Sequence, residues 1–87
     1  MMNIPILAMV NRLSIEHEVK GETVRGLAAS LIFSVIMREI NPRISAMMEL
    51  SSISMFAVLA PQLNINEPKA AALIRDTMKE IEKILAL

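Results

Sequence analysis

The stretch "SAMMELSSISMFAVLAPQLNIN", residues 45–66, holds one charge, Glu49, and three methionines. Its reading decides among a membrane segment, a binding surface and a helix of a packed core. A spanning helix needs about 20 mainly apolar residues. The longest uncharged run, residues 50–66, has seventeen, but Pro61 divides it and Gln62, Asn64 and Asn66 load its end. Residues 26–37 give only twelve. Neither run is expected to cross a bilayer.

On a wheel of about 100° per residue, Glu49 shares a narrow strip with Ser45 and Ser52, between two apolar faces. Ile44, Met47, Met48, Met55, Val58 and Leu59 line one face; Ala46, Leu50, Ile53, Ala57 and Ala60 line the other. An unpaired buried carboxylate is costly. Glu49 is therefore expected to reach water or to meet an arginine, Arg38 or Arg25. Phe56 falls on the same strip, so even the polar edge of this helix is expected to be partly covered.

Breakers place this helix among three others. Gly21 separates a first helix, roughly 4–20, from a second, roughly 22–40. Asn41 can cap the third, with Pro42 at its first position, where no backbone donor is lost. That third helix spans roughly 43–60. Asn66 and Pro68 open a fourth, roughly 67–86. Helix formers dominate, no alternating strand pattern occurs, and no internal repeat stands out. The fold expected is a single all-α domain, residues 1–87, a compact bundle of about four helices.

The helices differ in their patterning. In the fourth, Leu73, Ile74, Thr77, Met78, Ile81, Ile84 and Leu85 fall in one arc, with charged residues filling the remainder. The second has two apolar faces: Val24, Leu27, Ala28, Leu31 and Val35 on one, and Ala29, Phe33, Ile36, Met37 and Ile40 nearly opposite. A helix apolar on two sides is buried on two sides, and two such helices are hard to enclose in one small chain. Each buried Leu, Ile or Phe is worth about 1.5–3 kcal/mol, so a second copy is the expected cover. Homo-oligomerisation, with a homodimer as its simplest form, follows.

Composition agrees. Apolar residues excluding glycine make up 54% of the chain, above the roughly 45–50% that soluble domains reach with glycine counted. Nine basic residues balance nine acidic ones, and neither half of the chain is basic, which argues against a nucleic-acid surface. Arg75, Lys79 and Lys83 form the best basic stripe, but Asp76, Glu80 and Glu82 neutralise it. Cysteine is absent, which removes disulfides and thiolate metal sites and fits a reducing, cytoplasmic setting. The opening "MMNIPILAMVNRL" lacks a basic n-region and a small-residue cleavage site, so no secretory signal is expected.

Chemistry is thinly represented. In Glu16-His17-Glu18, neighbouring side chains diverge by about 100° on a helix and cannot converge on one ion. His17 shares a face with Ile6, Val10 and Leu13 and is expected at the core margin. It is the only histidine, and no nucleophile–base context or phosphate-binding loop accompanies it. No catalytic residue, cofactor or metal ligand is assigned. Gly26, Ser30 and Ser34 recur every fourth residue, a spacing that admits a close helix neighbour. Methionine is unusually common, eight residues, and its flexible thioether suits adaptable contact surfaces.

The function expected is a small non-enzymatic interaction protein, an adaptor, assembly factor or inhibitor, that self-associates and binds a protein partner. Phe33, Met37, Met47, Met48, Met55 and Phe56 are its candidate contact residues. Two alternatives are an oligomeric DNA-binding transcriptional regulator, which would gather scattered arginines into one patch, and a small membrane-active protein acting through a 24–60 hairpin.

Overall fold

The computed structural model describes residues 3–86 and contains four helices: α1 (Asn3–His17), α2 (Gly21–Met37), α3 (Pro42–Leu59) and α4 (Glu67–Leu85). A 3₁₀ turn, Ala60–Leu63, continues α3. No strand occurs among the described residues. The all-α four-helix bundle read from the sequence is the fold observed.

Local chemistry sets the helix ends. Asn41 caps α3 by accepting the Ile44 N–H at 3.2 Å, with Pro42 in the first turn. Asn66 caps α4 by accepting the Lys69 N–H at 3.0 Å. Both satisfy a donor that has no partner inside its own helix. The first break differs from expectation. Gly21 is the first residue of α2 rather than a separator between the two helices, and neither glycine has a positive φ. Glu18 makes the turn instead, with φ 55°, while the Val19 N–H closes back onto the Ser14 carbonyl at 3.0 Å. This arrangement ends a helix with a left-handed residue, here without glycine. Asn64 does the same after the 3₁₀ turn, φ 59°, and delivers Ile65 into the core.

The core joins Met9, Val10 and Leu13 of α1 to Val24, Leu27, Leu31 and Val35 of α2 and to Leu73 and Ile81 of α4. Every residue expected on the first face of α2 is buried, and every residue of the α4 arc is buried or half-buried. His17 lies at the core margin as expected, its Nε2 2.9 Å from Asp76 Oδ2. That contact and the Arg12–Glu80 ion pair tie α1 to α4.

α3 packs in the reverse sense. Only Ser45 and Phe56 within it are buried. The polar strip turns inward, and both apolar faces turn largely outward. The expectation that neighbours enclose this helix is not met within one chain. The reason is backbone proximity. The Ser45 hydroxyl donates to the Ser34 carbonyl of α2 at 2.5 Å, an approach that only small side chains permit, and the strip rather than a bulky face therefore meets α2. The expected pairing of Glu49 is present: Arg38 Nη2 lies 3.6 Å from its Oε2.

The membrane reading of this segment also needs correction. Pro61 does not end the element, because in the first turn of a 3₁₀ helix its missing N–H is no loss. Pro42–Leu63 is thus a continuous 22-residue element whose most apolar 18-residue window has a mean hydropathy of 1.5, long and apolar enough by length and composition alone to cross a membrane.

Candidate interaction surface

Where α2 and α3 lie side by side, their small residues form a crease. Gly26 and Ser30 of α2 face Ser51 and Ser52 of α3, and the short side chains leave an open channel between the helices. Toward the start of α2 the channel is about 440 Å³, walled by Leu27, Met55, Leu59 and Leu63 and floored by Phe56. Its continuation toward the end of α2 is about 530 Å³, walled by Phe33, Ile44, Met47 and Met48. The two parts share Ser30, Ser51 and Ser52. Glu22, at one end, is the one ionisable residue lining them.

The structure brings five of the six candidate contact residues to this crease. Phe33 and Met47 stand 65% and 69% exposed at one end, with half-buried Met48 between them. Met55 is 65% exposed at the other. Phe56 belongs to the core, and its part in the surface is as the floor of the channel. Met37 is half-buried and lines neither part.

Sequence reading passed over the ridge beside the crease. Leu50 and Val58 stand 68% and 70% exposed on the side of α3 turned away from α2. Between Ile44 and Asn66 the only ionisable residue is Glu49, and it points inward. The outer surface of α3 therefore carries no charge along its length after Arg43. The available signal was the length of that uncharged run. A second, smaller apolar hollow of about 360 Å³ lies on the other flank, between Ile53 and Ala57 of α3 and Ala71 and Ile74 of α4.

Charge is concentrated elsewhere, and eight of the eighteen Lys, Arg, Asp and Glu side chains take part in ion pairs. Arg38, in the turn after α2, donates to Glu82 Oε2 of α4 at 2.6 Å besides meeting Glu49 of α3. The Glu82 hydrogen bond, reinforced by the charges of Glu82 and Glu49, holds the Arg38 guanidinium above its ordinary, already high value. Three helices are thereby linked at one end of the crease. On α4, Arg75 pairs with Asp76 and Lys83 with Glu80, as the neutralised stripe implied. Among the described residues, no three His, Asp or Glu side chains converge in a way that could hold a metal ion.

The arrangement offers shape and apolar area: a partly methionine-lined channel with Glu22 at one end. Comparison with known proteins adds no relative to this picture, since no protein-family model, curated protein or solved structure matches the chain.

Proposed function

We propose that this protein is a small non-enzymatic interaction protein that works through helix-mediated self-association and partner binding, with the α2–α3 surface as its contact face. One observation carries this reading: α3 exposes Ile44, Met47, Leu50, Met55, Val58 and Leu59 on an outer surface without a charge. Contiguous exposed apolar patches often mark contact sites, and these six side chains stand 43–70% exposed. An uncovered surface of this kind favours association. The methionines at the crease suit partners of varied shape.

The test is solution mass by light scattering or sedimentation over a range of concentrations, for the natural chain and for Met55→Glu. A mass above that of the monomer, reduced by the substitution, supports the reading. A natural chain that stays monomeric throughout and remains in aqueous solution removes it.

A membrane-active role is the second reading, favoured by the length and hydropathy of Pro42–Leu63. Against it, the ends of this element carry neither tryptophan nor tyrosine, which the chain lacks entirely, and no cluster of basic residues for an anionic surface. The DNA-binding alternative has less support, because Arg75 and Lys83 already have acidic neighbours.

A further inference from the structure

The outermost line of α3 runs Met47, Ser51, Ser54, Val58, at intervals of four, three and four residues. This is the spacing of a coiled-coil seam, with large side chains at its ends and small ones at its centre. All four residues are exposed. We propose that this seam closes against the same seam of a second copy, with the two α3 helices antiparallel about a two-fold axis between Ser51 and Ser54. The proposal rests on the reading of the α3 face as a contact surface and specifies its occupant.

Three observations select a second copy in this orientation. First, the seam is self-complementary in size: reversing its direction sets Met47 against the partner's Val58 and Ser51 against the partner's Ser54. A two-fold interface requires that kind of match, and the central serines let the helices approach closely. Second, a two-fold axis brings each face against its own copy, so a charge close to the axis would meet its like. This face has none along the seam. Arg43, exposed at the start of α3, falls in the antiparallel pair beside the carbonyl end of the partner's helix, where a cation is favoured. In a parallel pair the two Arg43 side chains would meet instead.

Third, the apolar side chains on and beside the seam are left uncovered by their own chain: Met47, Leu50 and Val58 stand 69%, 68% and 70% exposed. The molecule is only 16 Å across in its thinnest direction, barely two helix layers at about 8–10 Å between axes.

The experiment combines mass with cross-linking, helped by the absence of native cysteine. Met47→Cys and Val58→Cys chains are prepared separately, each checked for helical content by circular dichroism, and treated with a thiol-to-thiol linker no longer than about 10 Å. Antiparallel pairing leaves the two copies of residue 47 about 16 Å apart along the axis. The expected result is a cross-link in the mixture of the two variants and little in either alone. Val58→Glu, at an exposed site, is expected to raise the dissociation constant at least tenfold, on the order seen for central contacts of an interface. A dimer in which each single variant cross-links to itself overturns the antiparallel seam and leaves the contact-face reading in place. A monomer at every concentration overturns both. A monomer that floats with phosphatidylcholine vesicles does so in favour of a lipid occupant.

Discussion

Helices α3 and α4 are nearly equal in length, 18 and 19 residues, yet α4 buries its apolar arc whereas α3 buries only Ser45 and Phe56. α4 turns Ala70, Leu73, Thr77 and Ile81 into the core and keeps its charges outside. α3 turns Ser45, Glu49 and Ser52 toward its neighbour and leaves methionine, leucine and valine in the open. The first arrangement satisfies the hydrophobic effect within one chain. The second satisfies hydrogen bonding within the chain and defers apolar burial to something outside it. A helix of the first kind reports on the fold, and a helix of the second kind reports on what the fold meets.

The contrast is open to direct attack, most strongly through α4. Leu73 is fully buried, and its truncation both removes transfer energy and leaves a cavity. Leu73→Ala is expected to cost about 2–5 kcal/mol of unfolding free energy, measured by urea denaturation. A cost below about 1 kcal/mol would mean that α4 is not the helix on which the core depends, and the distinction between the two helices would collapse.

A middle-sized effect probes the link between them. Arg38 ties α4 to α3 through Glu82 and Glu49, but its side chain is 35% exposed, and those of its partners 39% and 31%. Solvent screens pairs of this kind, so Arg38→Met is expected to cost about 1 kcal/mol, with the loss shrinking as salt is added to the natural chain. A loss independent of salt would place the value of Arg38 in the packing of its stem, including its approach to the Met78 sulfur at 3.8 Å, rather than in its charge.

The same contrast explains what the sequence could reveal. Amphipathic α4 was legible throughout, because one arc is apolar and its opposite is charged. The caps at Asn41 and Asn66 were legible because Asn followed by Pro at or near the first helical position has one good use. Cost alone left Glu49 to reach water or to meet Arg38 or Arg25, and the fold selects Arg38 while keeping the carboxylate partly exposed. The orientation of α3 was not legible, since an apolar pattern on two sides gives no sign that the strip between them is the side that turns inward. The Ser45 hydroxyl bond to the Ser34 carbonyl holds that strip against α2, which is a tertiary event. The turn at Glu18 was missed for a related reason: a glycine three residues later carries the stronger local signal, yet the left-handed residue here is a glutamate whose carbonyl accepts from Lys69 Nζ at 3.4 Å. The candidate contact residues were found as a set of methionines and phenylalanines, whereas the ridge of Leu50 and Val58 escaped because leucine and valine in a helix read as ordinary core.

The smallest effect separates the two helices most cleanly. Leu50 is 68% exposed, so in an isolated chain Leu50→Gln removes little burial and is expected to change stability by less than about 0.5 kcal/mol. The isolated chain is reached by dilution, and unfolding is then followed at low concentration. At higher concentration the natural protein gains stability by mass action wherever its α3 face is covered by another chain, because association stabilises only the folded form. Leu50→Gln weakens that cover and forfeits part of the gain. The thermal midpoints of the natural chain and the variant should therefore coincide when dilute and separate as concentration rises. A Leu73 substitution, by contrast, keeps nearly the same penalty in free energy at both ends of the range, because its contacts lie within one chain. If the Leu50 midpoints separate equally at all concentrations, the residue is buried by its own chain, and α3 is a core helix like α4.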